Sequence, residues 1–152
     1  FNKFTDIGQP LLLEALDLLE KGVIEREHQD NDAATYAHKT QKTEAMIDWQ
    51  QDARQVDRVV RAFNPDPIAF SFLDTNRVKV HAGHVVDSDL CKPGNILELS
   101  SKGLLVGCGN QAYLIEKIQL PIGKGAILSG ADMLNGWTDT LKVGSTFGEK
   151  IG

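Results

Sequence analysis

Three arginines, Arg54, Arg58 and Arg61, recur at spacings of four and three residues. On an α-helix this spacing places their side chains along one stripe. Guanidinium groups bind phosphates through paired hydrogen bonds, so the stripe could hold a nucleic-acid backbone without reading its sequence. Asp57 could instead pair with Arg54 or Arg61, as on an ordinary solvated helix surface. The charge pattern alone favours the solvated surface.

A glycine-rich run at residues 107–112, Gly-Cys-Gly-Asn-Gln-Ala, matches the G-x-G-x-x-A pattern of dinucleotide-binding loops, and Asp132 lies about the usual distance beyond it. That chemistry requires a helix to begin at the third pattern position, so that its amides face a pyrophosphate. Residues 113–118 instead have the composition of a strand, which Pro121 ends. The run therefore predicts a hairpin turn.

Histidine and cysteine side chains would form a zinc site only if four of them converged. His81 and His84 are three residues apart in a predicted strand, so they point to opposite faces. Cys91 and Cys108 lack the C-x-x-C spacing of zinc knuckles and redox sites. We predict no metal site and expect both cysteines to be reduced and structural.

The sequence also contains no recognisable set of residues for covalent or acid–base catalysis. The chain has no G-x-S-x-G motif, and His84, Asp87 and Ser88 lie too close in sequence for the usual spatial triad. Paired carboxylates such as Asp87 and Asp89 fall in polar loops, where solvated charge is the ordinary explanation. The sequence predicts no catalytic residues.

Apolar periodicity predicts the helices that would carry these side chains. An amphipathic helix starts at Thr5 or Asp6 and ends at Gly22, followed by a polar linker. A second helix, with Asp48 as its N-cap, runs from Trp49 to Phe63 and carries the arginines.

Short strands with turn residues between them predict a small barrel or sandwich for the rest of the chain. A short helix capped by Ser129 is expected at residues 130–135, and the weak pattern after Trp137 predicts a loosely ordered tail. The predicted strands cover residues 67–73, 77–85, 95–99, 104–108 and 112–118.

The composition of the 152 residues, 41% hydrophobic and 24% charged, is typical of a soluble globular protein and excludes a disordered chain or a membrane bundle. The net charge of −5 differs from the basic net charge that is typical of proteins that bind duplex DNA. Residues 1–35 carry that excess, with three basic and eight acidic side chains, and the remainder is balanced. A chain that begins at Phe1, with no signal pattern, is expected to be a fragment of a longer protein.

Three stretches occur together in a recognisable order and spacing. They are residues 36–49 (Tyr-Ala-His-Lys-Thr-Gln-Lys-Thr-Glu-Ala-Met-Ile-Asp-Trp), 61–67 (Arg-Ala-Phe-Asn-Pro-Asp-Pro) and 93–97 (Pro-Gly-Asn-Ile-Leu). They closely resemble the C-terminal half of methionyl-tRNA formyltransferases. Residues 119–124 and 131–136 resemble that family's closing strand and terminal helix, so the match covers nearly the whole chain.

The resemblance implies a mainly β fold with flanking helices: an open β-barrel resembling an OB fold, preceded by an isolated amphipathic helix and a linker. Residues 1–22 would be the terminal helix of a missing N-terminal formyltransferase domain. Residues 23–50 would be the interdomain linker, and residues 51–152 the C-terminal barrel domain.

The resemblance further implies a cytoplasmic parent enzyme of translation initiation, which transfers a formyl group from formyl-tetrahydrofolate to the methionyl amino group of initiator tRNA. The family's catalytic residues lie in its N-terminal domain around a His-x-Ser-Leu-Leu-Pro motif, which these residues lack. We therefore expect this chain to be inactive alone, without a cofactor, metal or membrane partner. Its partners would be initiator methionyl-tRNA, through phosphate contacts, and the missing catalytic domain.

Lys39, Lys42 and Arg61 match basic positions of the family, whereas Trp49 and Phe63 match but are expected to pack. The family usually has an aromatic residue where this chain has Asp66, and a second lysine where it has Gly125. The full predicted tRNA-binding set is Lys39, Lys42, Arg54, Arg58, Arg61, Lys79 and Lys124.

Two alternatives remain open at this point. The chain also resembles the C-terminal modules of sugar-nucleotide formyltransferases and formyl-tetrahydrofolate dehydrogenases. A stand-alone OB-like module that binds protein or single-stranded nucleic acid would need exposed aromatics on adjacent strands, and only Phe70, Phe72 and Tyr113 are available. We expect Phe70 and Phe72, which share one strand face, to fill the core.

Overall fold

The computed structural model describes residues 2–122 and 125–148. The chain divides into two compact units, one ending at His38 and the other beginning at Lys39. Across the described ranges, no helix combines the length and apolar character that a membrane span requires.

The first unit contains helix α1, Asn2–Glu20, which begins a few residues earlier than predicted. Gly22 adopts a φ of 66°, and its N–H and that of Val23 donate 3.1 Å hydrogen bonds to the carbonyls of Leu19 and Leu18. This is the glycine cap that the sequence predicts. Among its described residues the unit has no other helix or strand, so the apolar stripe of α1 has no partner element within it.

The second unit begins with one 3₁₀ turn, Lys42–Ala45, followed by an extended segment along the barrel. Ile47 and Trp49 are buried, and the Ile47 N–H donates a 2.8 Å hydrogen bond to the Phe70 carbonyl. Alternation along this segment therefore directs every second side chain into the core. The packing role expected for Trp49 is confirmed.

Helix α2, Ala53–Ala62, carries the arginines, and the prediction of Asp48 as its N-cap is wrong. The N-cap is Asp52, which accepts a 2.8 Å hydrogen bond from the Arg54 N–H. Asp48 instead accepts from the Gln50 N–H at 2.9 Å and stabilises the preceding turn. Both carboxylates satisfy local amides, but only Asp52 does so at the start of the helix.

The residues that the structure describes include seven strands: β1 Phe70–Leu73, β2 Asn76–Val86, β3 Ile96–Ser100, β4 Gly103–Gly107, β5 Ala112–Gln119, β6 Ile127–Ser129 and β7 Phe147–Gly148. They form one antiparallel sheet with the order β3-β4-β5-β2-β1-β7, and β6 pairs with β5. The five predicted strands are confirmed within a few residues at each end. Helix α3, Gly130–Gly136, follows β6 and is capped by Ser129 as predicted.

The sheet curls so that its two end strands approach each other. An antiparallel bridge joins Asn95, just before β3, to Thr146, just before β7, and the Ile96 N–H donates a 2.8 Å hydrogen bond to the Ser145 carbonyl. Phe147 is buried against Trp49, with ring centroids 5.7 Å apart. The fold is thus the predicted open barrel, but residues 145–148 are paired and packed, contrary to the expected loose tail.

The barrel encloses one apolar core, and the aliphatic face of α2 covers it. Burial of this surface is the main favourable contribution to folding of the unit. The largest contributors include Val56, Val60, Val78, Val80, Ile96, Leu104, Ile115 and Ile118.

Candidate nucleic-acid interface

The glycine-rich run is a turn between β4 and β5, as predicted, and it positions the start of α2. The Gly109 N–H donates to the carbonyls of Trp49 at 3.0 Å and Gln51 at 2.9 Å. A Cβ at Gly109 would overlap the Gln50 carbonyl oxygen, so only glycine permits this approach. The run therefore binds another part of the backbone rather than a nucleotide.

A second set of contacts between the same turn and Asp52 completes the anchor of α2. Asn110 Nδ2 donates a 2.7 Å hydrogen bond to Asp52 Oδ2, and the Ala53 N–H donates to the Asn110 carbonyl at 3.1 Å. The Arg54 amide and the Asn110 side chain hold the pKa of Asp52 below its usual value. These contacts therefore fix the N-terminus of α2, and with it the arginine stripe, on the barrel.

Arg54, Arg58 and Arg61 are all exposed, on the side of α2 opposite Val56 and Val60. Their predicted common face is thus present in the structure. Arg58 Nη1 donates a 3.2 Å hydrogen bond to the neutral side chain of Gln55, and the Arg58 charge is among the influences that lower the pKa of Asp52. The surface can therefore present guanidinium groups to phosphates.

Arg61 carries the ion pair that the sequence offers as the alternative use of this stripe. Its Nε lies 2.8 Å from Asp57 Oδ2, and the two side chains are 69% and 22% exposed. Exposed pairs at i,i+4 contribute only about 0.3–0.5 kcal/mol. Asp57 thus holds Arg61 weakly, and a phosphate could replace the carboxylate.

Tyr113 lies beneath Asp57 and is fully buried. Burial, followed by the nearby Asp57 charge, raises the pKa of its phenol well above the ordinary value. Gly83 makes room for the ring, because a Cβ there would lie 2.6 Å from Tyr113 Cε1. Tyr113 is therefore unavailable as the exposed aromatic that a stand-alone single-strand-binding module would use.

The two lysines of the predicted set that precede α2 are exposed. Lys42 begins the 3₁₀ turn, and the Lys39 carbonyl accepts a 3.3 Å hydrogen bond from Gln41. Within the described part of the chain, no recorded contact joins either lysine to the arginines of α2. They share the second unit with the stripe but not a common cluster.

Lys79 lies on the outer face of β2 and lines a cavity of about 200 Å³. The other described lining residues are Arg77, Gln119, Leu120, Pro121 and Gly125. Lys124 lies outside the described residues. Sequence reasoning missed Arg77, although its alternation with Val78 and Val80 places it on the same face as Lys79.

Of the two phenylalanines expected to fill the core, Phe70 is buried as expected, whereas Phe72 is only partly buried. Both lie on the strand face opposite Leu73, and neither belongs to the connected core cluster. Phe70 is buried beneath Arg77, whose guanidinium carbon lies 3.7 Å from the ring centroid. Phe72 is partly exposed and packs edge-on against Phe70, with centroids 5.8 Å apart.

The histidines and cysteines have separate environments. His81 is hydrogen-bonded to Gln119 at 3.2 Å, and His84 Nδ1 lies 3.2 Å from Glu116 Oε1. Burial raises the pKa of the Cys108 thiol to about 12, whereas Cys91 is exposed. Among the described residues, no three potential ligands are grouped closely enough to hold a metal ion.

Curated relatives share most of this sequence. The chain is 40% identical over 148 residues to methionyl-tRNA formyltransferase of Pseudomonas fluorescens, covering 97% of this chain and 46% of the relative. It is 42% identical over 141 residues to the enzyme of that name from Coxiella burnetii, covering 92% and 44% of the two chains. The chain thus spans less than half the length of these relatives.

Solved structures of HypX from Aquifex aeolicus share the fold. For the complex with tetrahydrofolic acid, the TM-score is 0.62 at 23% identity, and the match covers 86% of this chain and 23% of HypX. The family model described as "Formyl transferase, C-terminal domain" matches residues 39–138, which include α2, the glycine-rich turn and the cavity beside Lys79. The chain belongs to the formyl transferase C-terminal domain family.

Proposed function

We propose that this chain is the tRNA-binding C-terminal part of a methionyl-tRNA formyltransferase. The parent enzyme would act in the cytoplasm, in translation initiation, and transfer a formyl group from formyl-tetrahydrofolate to the methionyl amino group of initiator tRNA. The 40% identity across 97% of the chain supports this proposal over a HypX-like parent, for which the identity is 23%.

The role of the barrel unit in this proposal is to hold tRNA through phosphate contacts. The observation that carries it is the arginine stripe, because the backbone of α2 is anchored at Asp52 while the three guanidinium groups stay exposed. Phosphate contacts position a nucleic acid without reading its bases. The proposed contact residues are Lys39, Lys42, Arg54, Arg58, Arg61, Lys79 and Lys124.

In the proposed domain arrangement, residues 1–22 belong to a formyltransferase domain, residues 23–50 link it to the barrel, and residues 51–152 form the barrel domain. The apolar stripe of α1, which has no partner element among the described residues of its own unit, supports this assignment. The end of the linker would be docked, since Ile47 and Trp49 are buried in the barrel unit.

Catalysis and the folate donor are assigned to the domain that carries the His-x-Ser-Leu-Leu-Pro motif, so this chain alone would be inactive and would bind no cofactor or metal. The pKa is lowered for Asp52, the N-cap of α2, and for Asp132, which accepts hydrogen bonds from Ser129 in the capping box of α3. Such caps favour the ionised carboxylate and do not supply a general base near neutral pH.

Fluorescence anisotropy with labelled initiator tRNA, over a series of salt concentrations, tests the proposed function. Contacts to about three to five phosphates predict a slope of log affinity against log salt of about −2 to −5. Absence of binding at low salt, in a sample whose melting curve shows a folded barrel, would overturn the proposal.

A further inference from the structure

The outer face of β1 and β2 carries an aromatic and cationic surface, of which the predicted contact set includes only Lys79. The Arg77 guanidinium lies on the Phe70 ring, and the partly exposed Phe72 ring meets Phe70 edge-on. One side of the guanidinium plane is thus covered by Phe70, while Arg77 itself remains partly exposed. Nucleic-acid bases stack on such guanidinium planes and aromatic rings.

Arg77 is also short of hydrogen-bond acceptors. Its Nε is buried without an acceptor, and the structure records no ion pair or hydrogen bond for its side chain within residues 2–122 and 125–148. A buried N–H donor without a partner is destabilising. Because Nε is enclosed by protein atoms, an acceptor of a bound molecule would meet the terminal nitrogens of the guanidinium instead.

The cavity beside Arg77 and Lys79 suits such an acceptor. Its volume of about 200 Å³ is below the roughly 300–1,000 Å³ of pockets that enclose a small molecule, and fits one polar group of a larger ligand. Its described lining contains two cations and no carboxylate. A phosphate group has the charge and the oxygens that this lining lacks.

Gln119 gives the cavity a fixed wall. Its amide nitrogen donates a 2.5 Å hydrogen bond to the Gly125 carbonyl, and its amide oxygen lies 3.2 Å from His81 Nε2. Because an amide oxygen only accepts, His81 donates this bond. Both ends of the side chain are therefore held before any ligand binds, which lowers the entropic cost of binding.

We propose that this face binds one unpaired nucleotide of an RNA, with its base stacked on the Arg77 guanidinium beside the Phe72 ring and its phosphate held in the cavity by Arg77 and Lys79. The choice of RNA rests on the proposed function. It also follows from the combination of a planar surface with an adjacent cationic cavity, which matches the base and phosphate of one nucleotide.

Anisotropy with two labelled probes tests this proposal: a single-stranded oligoadenylate of about eight nucleotides, within the range of site sizes for OB folds, and a blunt-ended RNA duplex. Arg77→Lys keeps the charge but removes the planar group, and Phe72→Leu keeps an apolar side chain but removes the ring. Each should weaken oligoadenylate binding by about tenfold and leave duplex binding within about twofold. Arg26→Lys, an exposed arginine of the first unit, is the matched control and should change neither.

Melting curves establish that each variant is folded, and the two variants test the surface independently. Unchanged oligoadenylate affinity in both variants would overturn the inference, as would equal losses for the duplex and the single strand. If the unmodified chain bound initiator tRNA but not oligoadenylate, the inference would fail and the proposed function would stand. Stronger competition for this surface by a phosphotyrosine peptide than by oligoadenylate would also overturn the inference.

Discussion

The indole nitrogen of Trp49 donates a 3.0 Å hydrogen bond to Ser71 Oγ inside the barrel. The Ser71 hydroxyl in turn donates to the Gly148 carbonyl at 3.2 Å. Trp49 and Ser71 are 3% and 0% exposed, so water cannot replace either partner. The segment before α2, strand β1 and strand β7 are thus joined by one buried polar connection.

Ser71→Ala should destabilise the barrel by about 1–3 kcal/mol, because it leaves the Trp49 N–H buried without an acceptor. Urea unfolding followed by Trp fluorescence measures this change. The double variant Ser71→Ala with Trp49→Phe removes both polar groups and should cost less than the sum of the single changes. Ser101→Ala, at an exposed turn, is the control. Additive losses would contradict a direct bond between the two side chains.

Arg58→Ala combined with Arg61→Ala should weaken binding of initiator and elongator tRNAs alike, since phosphate contacts carry no sequence information. The salt slope should become shallower by about one to two units. Stability should change by no more than about 0.5 kcal/mol, the contribution of an exposed pair. Lys102→Ala with Lys142→Ala removes equal charge from exposed positions outside the contact set and serves as the control. Unchanged tRNA affinity in the folded arginine variant would show that the stripe is an ordinary solvated helix surface.

Gly109→Ala should destabilise the barrel unit by about 1–3 kcal/mol, as expected for overpacking. The added methyl group would overlap the Gln50 carbonyl oxygen and displace the start of α2. Gly136→Ala is the matched control, because a Cβ there meets no atom within 4 Å. Chemical denaturation of both variants measures the difference. Equal stabilities would show that the turn and the helix start are not in close contact.

Stability should fall at alkaline pH because the Cys108 thiol keeps its proton in the fold. Burial raises its pKa from 9.0 to about 12, so above pH 9 the unfolded chain binds fewer protons than the folded chain. Unfolding free energy then decreases by about 1.4 kcal/mol per pH unit from this group. Tyr113 acts in the same direction above its ordinary pKa of 10.0.

Denaturation of the Cys108→Ala variant from about pH 8 to about pH 10.5 isolates the thiol contribution. The difference in stability between the original chain and this variant should shift in favour of the variant as pH rises. Cys91→Ala, at an exposed thiol, should give a curve parallel to that of the original chain. Parallel curves for both variants would rule out a perturbed Cys108.

Amide hydrogens of α1 should exchange faster than those of β2 and β5, because the helix has no partner element among the described residues of its own unit. Hydrogen exchange with mass spectrometry, in a sample shown to be monomeric by light scattering, makes this comparison. Under the proposed domain arrangement, adding a formyltransferase domain upstream should slow exchange in α1. Equal protection of α1 and the strands in the monomer would count against a lost partner.

Local pattern was sufficient for β1 to β5 and for the glycine-rich turn, because alternation and turn residues act over short distances, but it did not predict β6 or β7. It failed at Asp48 and Asp52, which are both good caps; the choice depends on Asn110, which is 58 residues from Asp52. It also failed for Phe72, since no local signal tells which face of an isolated strand meets the core. The role of Arg77 was not predicted for the same reason, because the ring that it contacts, Phe70, lies on the neighbouring strand.

Closure of the barrel at Thr146 and Phe147 has a consequence for synthesis on the ribosome. Chains emerge in order from the N-terminus, and β1 reaches the outside long before the residues that pair with its far edge. Until Phe147 has left the exit tunnel, that edge of β1 is unpaired and the Trp49 ring lacks its contact with Phe147. The barrel is therefore completed only after all the other described strands have been synthesised, and the nascent sheet must stay unaggregated until then.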